Sequence, residues 1–190
     1  NSKPLKDGEL LLVDAGCEFE LYASDITRTY PINGKFSSAQ LAIYEVVLEA
    51  QVKSIEAIST KNNVMDAQIV SEKIITQGLI DLGILNGSME ELHAAGAFKA
   101  FYMHKIGHWL GIDVHDAGDY MEDGEFMKFK PGMITTVEPG IYISSSADVD
   151  EKWKGIGIRI EDDILVTANG NENLTDLVPS DPKEIEALMA

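Results

Sequence analysis

Residues 10–36, LLLVDAGCEFELYASDITRTYPINGKF, contain the pattern that decides the fold of this chain. The apolar run at 10–13 ends at Asp14, which is followed by Ala-Gly, and predicts a buried strand that stops at a turn. Residues 18–32 alternate apolar and polar side chains in pieces, which predicts further strand structure around Asp25. Asn33-Gly34 is a strong turn signal, so we expect the chain to leave this sheet region there.

Two amphipathic helices are predicted to follow. The first, over 39–59, is capped by Ser37 or Ser38, and its apolar residues recur at steps of three and four. Its expected apolar stripe comprises Leu41, Tyr44, Val47, Leu48, Val52, Ile55 and Ile58. The second helix is expected over 66–82, and its stripe comprises Ile69, Val70, Ile74, Ile75 and Leu79.

The second half of the chain changes to short segments broken by Gly and Pro. A short helix is expected over 89–97, and Pro182 announces a terminal helix. Strands are expected at 133–138, 141–143, 156–161 and 163–167, with a turn at 169–171. Together these elements predict one α+β domain with a curved, mainly antiparallel sheet and helices on its outer face.

The composition narrows the choice of partners. The 190 residues include 32 acids and 15 bases, a formal net charge of −17, which argues against nucleic acid or an anionic membrane as a partner. Cys17 is the only cysteine, so no internal disulfide forms, and we expect a cytoplasmic protein. No stretch approaches the roughly 20 continuous apolar residues of a membrane span.

Four carboxylates and one histidine lie in or beside apolar, β-branched segments that predict sheet or sheet-edge structure. They are Asp14, Asp25, His108, Glu138 and Glu161. A lone buried charge is expensive to desolvate, so the five groups indicate a site for a pair of divalent metal ions. Because carboxylates outnumber imidazole, manganese suits the site better than a thiolate-type zinc centre. Taken alone, Asp14 can also be a turn residue and Asp25 a surface acid.

The segment at 103–116, MHKIGHWLGIDVHD, holds three of the four histidines of the chain. Its glycines on both sides of His108 disfavour a regular helix and indicate a backbone that must approach something closely. We interpret His108 and His115 as functional residues, and His93 as a structural one.

Two further acids close apolar strands. Glu138 precedes Pro-Gly, which indicates a strand end. Glu161 follows GIGIRI, and Arg159 shares its strand face, so the arginine is expected either to pair with a ligand carboxylate or to reach the substrate. The alternative for Glu161-Asp162-Asp163 is a solvated acidic turn, which the apolar strand on each side disfavours.

Nearly the whole chain resembles the metallopeptidases of the pita-bread (creatinase/aminopeptidase) fold, in particular the aminopeptidase P group. The resemblance rests on several motifs in the same order: LLLVDAGCE, SDITRTYPINGKF, HKIGHWLGIDVHD, PGMITTVEPGIYI, GIGIRIEDDILVT, GNENLT and EIEALMA. By this resemblance Asp25 and Glu161 bridge two metals. Asp14 chelates one of them, and His108 and Glu138 complete the ligand set of the other.

The resemblance also implies roles for other residues. Glu138 would act as a proton shuttle as well as a ligand, His115 would contact the substrate near the scissile bond, and Arg159 would belong to the catalytic residues. His104 is assigned with His115 to substrate binding. The implied reaction is removal of the N-terminal residue from peptides with proline in the second position. The alternatives are an X-Pro dipeptidase (prolidase) and a metal-free binding module of the same fold.

Family members carry a further substrate-contacting histidine upstream of the first ligand, together with the first half of the fold. The resemblance therefore implies that residues 1–190 are the C-terminal part of one catalytic domain, and that the upstream half of that domain is their partner. We expect the complete protein to form a homo-oligomer.

Overall fold

The computed structural model describes residues 3–190 and contains four α-helices and eleven short strands within that range. The helices are α1 (Ser38–Ala57), α2 (Val64–Asp81), α3 (Met89–Ala94) and α4 (Pro182–Met189). Two 3₁₀ turns lie at Ala97–Ala100 and Glu151–Trp153. Within residues 3–190, none of the helices combines the length and apolar character that a membrane crossing requires.

Every strand pairing in the described part of the chain is antiparallel, so the α+β prediction is confirmed. The first four strands are β1 (Leu10–Ala15), β2 (Glu18–Phe19), β3 (Tyr22–Ala23) and β4 (Ile26–Pro31). The remaining strands are β5 (Met121–Glu122), β6 (Glu125–Phe126), β7 (Ile134–Val137), β8 (Gly140–Tyr142), β9 (Gly157–Arg159), β10 (Asp162–Thr167) and β11 (Gly170–Asn173).

The first part of the chain forms the strand reversal that its pattern predicts. β1 pairs with β4, with Asp14 opposite Thr27, and the small β2–β3 hairpin lies between them. The turn at 33–34 closes with a hydrogen bond from the Gly34 N–H to the Pro31 carbonyl at 2.9 Å. Asp25 itself lies between β3 and β4 rather than inside a strand, because the hairpin interrupts the run at 18–32.

The second part divides into two ladders, β11–β10–β7 and β8–β9. The strand predicted at 156–161 is shorter, since β9 ends at Arg159 and leaves Glu161 between β9 and β10. Glu161 instead forms an isolated bridge to Thr27, and its N–H donates to the Thr27 carbonyl at 3.0 Å. This bridge joins the second part of the sheet to β4.

Both long helices form close to their predicted limits, but their buried faces are more polar than the predicted stripes. Ser37 is the N-cap of α1 and completes a capping box with Gln40. Val52 of α1 and Ile69 of α2 are exposed, whereas Gln51 and Gln68 are buried. The reason is hydrogen bonding: Gln51 donates to Asp162, and Gln68 accepts from the Ile106 N–H at 2.6 Å.

The predicted helix at 89–97 is also shorter than expected. It ends at Ala94, and Gly96 then adopts a left-handed conformation before the 3₁₀ turn at Ala97–Ala100. The main core lies where α1 and α2 meet β8 and β9, and includes Ile43, Val47, Leu79, Ile141 and Ile158.

The α1–α2 contact generates a stability prediction at Gly78. A Cβ at this position would lie 2.4 and 2.7 Å from the two γ-methyls of Val46, whose branched side chain cannot rotate both away. We expect Gly78→Ala to lower the free energy of unfolding by about 1–2 kcal/mol despite its better helix propensity. In a Val46→Ala background only the 3.2 Å contact with the Cβ of residue 46 remains, so the same change should cost clearly less. Urea unfolding of the four proteins measures this, and equal effects in both backgrounds would contradict it.

Candidate metal centre

Two of the sequence-predicted acids come from the β1–β4 region. Asp14 lies near the end of β1, and Asp25 lies directly before β4. Asp14 is exposed, while Asp25 is buried and its pKa is raised by that burial and by the hydrogen-bonded Asp14 carboxyl. Two carboxyl groups in this proximity share a proton or a cation.

Asp25, His108 and Glu161 form the centre of the cluster. Each offers one ligand atom, and the three atoms lie within 4.8 Å of one another. His108 Nε2 lies 3.4 Å from Asp25 Oδ2 and 3.6 Å from Glu138 Oε1. The structure thus brings four of the five predicted ligands around one point, with Asp14 against Asp25 on the outer side.

The orientation of His108 suits a metal ligand. Its Nδ1 lies 3.0 Å from the Trp109 carbonyl, which can only accept, so Nδ1 is the donor of this bond. Nε2 is the nitrogen directed at the carboxylates. A backbone partner on the other ring nitrogen is the usual arrangement for metal-binding histidines.

Close backbone packing holds the His108 segment against β7. The His108 N–H donates to Thr136 Oγ1 at 3.1 Å, and the Thr136 N–H donates to the His108 carbonyl at 3.0 Å. A Cβ at Gly107 would lie only 2.0 Å from the Thr136 carbonyl oxygen. This is the close backbone approach that the glycines beside His108 predict, and the neighbouring element is β7.

Two buried glutamates of the cluster have raised pKa values. Burial raises the pKa of Glu161 to about 9, and the Glu138 carboxyl adds to the increase while the Thr27 hydroxyl opposes it. Burial also raises the pKa of Glu138 to about 7, against the lowering effect of the Arg159 guanidinium. Divalent ions bind to deprotonated ligands, so this oxygen-rich donor set with one imidazole fits hard or borderline cations.

Arg159 faces the outer end of the cluster. Its NH2 donates to Asp14 Oδ2, its NH1 to the Tyr142 hydroxyl at 3.0 Å, and its Nε to Thr27 Oγ1 at 3.2 Å. Thr27 Oγ1 in turn donates to Glu161 Oε2 at 2.5 Å. Of the two expectations for Arg159, the geometry shows the contact with a predicted ligand carboxylate.

The other two histidines of the 103–116 segment line an open pocket of about 350 Å³ beside the carboxylates. The His115 ring contacts the His108 ring edge to face, with 4.3 Å between centroids. His104 Nδ1 donates to the Lys105 carbonyl at 2.9 Å, and its Nε2 accepts from the Tyr142 hydroxyl at 2.9 Å. Burial lowers the pKa of His104, which favours the neutral ring. His93 lies elsewhere, 3.2 Å from Glu72.

Sequence reasoning missed two residues of the site. Tyr142 connects Arg159 to His104, and Thr27 connects Arg159 to Glu161. The polar Thr-Arg-Thr run within β4 was a usable signal, because a buried strand that is polar on both faces needs partners on both sides. No comparable sequence signal identifies Tyr142, because a tyrosine is an ordinary residue in a β-strand.

The chain matches a family model and is similar to several curated proteins. The model of metallopeptidase family M24 matches residues 1–168. The Xaa-Pro aminopeptidase of Haemophilus influenzae is 54% identical over 189 residues, covering 100% of this chain and 44% of that protein. The Xaa-Pro aminopeptidase of Escherichia coli is 50% identical, covering 100% of this chain and 43% of that protein.

A solved structure is equally similar. Aminopeptidase PepP of Pseudomonas aeruginosa superposes with a TM-score of 0.97 at 54% identity, covering 98% of this chain and 42% of that one. The chain therefore spans less than half the length of the relatives that it matches.

The packing at Gly107 gives a prediction for metal binding. We expect Gly107→Ala to push His108 away from β7 and to weaken Mn²⁺ binding by roughly tenfold or more. Gly157→Ala is the matched control, because its Cβ would make only an ordinary 3.6 Å contact with Tyr142. Calorimetric titration of the metal-free proteins measures both. Equal affinities for wild type and Gly107→Ala would show that the close approach does not position His108.

Proposed function

Because this chain belongs to metallopeptidase family M24 and has its pita-bread fold, we propose that the complete protein is a dimetal Xaa-Pro aminopeptidase. The observation that carries the proposal is the convergence of Asp25, His108 and Glu161 on one point beside a pocket lined by histidines. The names of the relatives support the substrate class. The proposal concerns the complete protein, since this chain covers 42–44% of the relatives.

Within this centre we propose that Asp25 and Glu161 bridge two divalent ions. Asp14 would be a further ligand of one ion, and His108 and Glu138 would be further ligands of the other. The support is positional: Asp14 lies against Asp25, while Glu138 lies 3.6 Å from His108 Nε2. When bound, the two ions would polarise the scissile carbonyl and lower the pKa of a water molecule between them.

The residues of the chain then have distinct tasks. Glu138 lies where the cluster opens to the pocket, so it can pass the proton of the attacking water to the leaving proline nitrogen. His115 is exposed on the pocket wall and can donate a hydrogen bond to the oxyanion that develops on the carbonyl. The neutral His104, which accepts a hydrogen bond from Tyr142, lines the same pocket and can contact the substrate there. Arg159 would hold the Asp14 carboxylate in its orientation toward the ions.

Two alternatives have specific discriminators. A prolidase would share every residue of this centre and differ only in accepting dipeptides alone. A metal-free binding module would lack one or more ligands, whereas here all five predicted ligand residues are present and four of them meet. The geometry therefore favours a metal-dependent hydrolase.

Some finer features belong to the same proposal. Manganese as the native metal is supported by the carboxylate-rich donor set. A location in the cytoplasm rests on the single cysteine, and a homo-oligomeric state on the family resemblance. That residues 1–190 form the C-terminal part of a larger catalytic domain is supported by β1, whose Leu11 and Val13 are 36% and 37% exposed.

Substrate choice tests the proposal directly. The complete protein with Mn²⁺ should release the first residue from Xaa-Pro-Yaa peptides much faster than from matched Xaa-Ala-Yaa peptides. Liquid chromatography of the released amino acid measures both rates. Comparable rates on the two series would refute the proline specificity, and cleavage restricted to Xaa-Pro dipeptides would assign the protein to the prolidases instead.

The adjacent histidines His108 and His115 should behave differently when each is replaced. His115→Ala should retain both ions but lower kcat by roughly 100-fold, because the side chain acts on the transition state. His108→Ala should lose metal and activity together. Elemental analysis alongside steady-state kinetics separates the cases. Loss of metal from His115→Ala would mean that the ligand and the substrate-contacting histidine are exchanged.

A further inference from the structure

Arg28 is a buried cation that the proposed chemistry does not use. It is 2% exposed, and all five N–H donors of its guanidinium have acceptors. The acceptors, at 2.7–3.0 Å, are the carbonyl oxygens of Thr27, Glu161, Val178 and Pro179 and the carboxylate of Asp162. A fully satisfied planar fork of this kind fixes the relative position of everything that it binds.

The location of these acceptors is informative. A single nitrogen, NH1, binds the carbonyls of both Thr27 and Glu161, at 2.9 and 2.7 Å. These residues belong to β4 and to the β9–β10 junction, which lie in separate ladders and meet at one isolated bridge. Asp25 is two residues before Thr27. Arg28 therefore holds together the strand that follows Asp25 and the junction that carries Glu161.

The three consecutive acids at 161–163 point to two sides of the chain: Glu161 and Asp163 toward Asp25, and Asp162 toward Arg28. All three are at most 3% exposed, so they do not form the solvated turn considered as an alternative. Glu161 faces the cluster, and Asp163 Oδ2 accepts from the Asp25 N–H at 3.1 Å. Asp162 faces away and binds Arg28 at 2.7 Å.

Asp162 is itself held from two further elements. Thr175 Oγ1 donates to its Oδ1 at 2.6 Å, and Gln51 of α1 donates to its Oδ2. The negative charge of Asp162 offsets the positive charge of Arg28 on the side away from the cluster. The guanidinium therefore acts through its hydrogen-bond geometry, without serving as a counter-ion to the ligand carboxylates.

We infer that Arg28, held by Asp162, is a positioning residue that fixes the separation of Asp25 and Glu161 and thereby makes the centre bind its two ions as a pair. The inference rests on the proposed two-metal centre. Without the hydrogen bonds of Arg28, Asp25 and Glu161 can each still bind an ion, but they no longer bridge the same two ions.

The test uses Arg28→Lys in the complete protein, freed of metal and titrated with Mn²⁺. Lysine keeps the charge but offers three donors from one point instead of a planar fork of five. We expect the first ion to bind within about threefold of wild type and the second roughly tenfold or more weaker. Electron paramagnetic resonance should show loss of the spin-coupled signal of a manganese pair while the first ion stays bound, a combination that a general loss of stability would not produce.

Tyr44→Phe is the matched control. The Tyr44 hydroxyl donates to the Ser180 carbonyl at 2.8 Å, and thus anchors the same C-terminal segment as Arg28 without touching the β4–β10 junction. It should lower stability and leave the coupled signal intact. If Arg28→Lys does not fold, Thr175→Val removes the hydrogen bond to Asp162, together with the bond that Thr175 Oγ1 accepts from the Asp163 N–H at 3.2 Å, and should weaken binding of the second ion in the same direction.

The outcomes separate the two proposals. Unchanged second-ion affinity and coupling in Arg28→Lys, or in Thr175→Val where the lysine variant is unfolded, would overturn the positioning role. A spin-coupled pair in wild type without Xaa-Pro cleavage would refute the proposed substrate and leave the positioning role standing. A wild-type protein that never binds a pair of ions would overturn the two-metal centre and this inference with it.

Discussion

The repulsion among acidic groups gathered at one place is the constraint on which the rest of this structure depends. Glu161 is 1% exposed and lies with Asp25 and Glu138 around a single histidine. Several carboxylates in such surroundings cannot all be ionised without a cation between them, and burial raises the pKa values of Glu138 and Glu161. The donor set therefore suits divalent ions, which bind deprotonated carboxylates.

The scaffold holds these groups with polar contacts rather than with apolar packing alone. Two arginines bind Thr27 at the same junction, and each pairs with a different carboxylate: Arg159 with Asp14, and Arg28 with Asp162. The helices contribute buried glutamines where an amphipathic pattern predicts only apolar side chains, because Asp162 of β10 and the Ile106 N–H of the loop before His108 need partners there. A fold whose site must be rigid uses its helices as sources of hydrogen bonds.

The same requirement explains which element predictions needed correction. The limits of α1 and α2 follow from caps and periodicity, and the sequence shows both. The end of β9 and the position of Glu161 follow from a bridge to Thr27, a residue far away in the chain. Local propensity continues the strand through 156–161, and the pairing partner decides where it stops. The exposure of Val52 and the burial of Gln51 have the same origin, since the identity of the facing surface is a tertiary property.

By itself, the sequence determined the α+β class, the strand reversal that places Asp14 near Asp25, and the set of five metal-binding candidates with His115 and Arg159 beside them. These follow from charge in apolar surroundings, from periodicity and from turn residues, all of which act over short distances. Only the tertiary structure decided that Arg159 contacts Asp14, that Tyr142 links Arg159 to His104, and that Arg28 braces Glu161 from behind. Those contacts join residues separated by most of the chain, and they exist because buried hydrogen-bond donors and acceptors must be satisfied wherever folding places them.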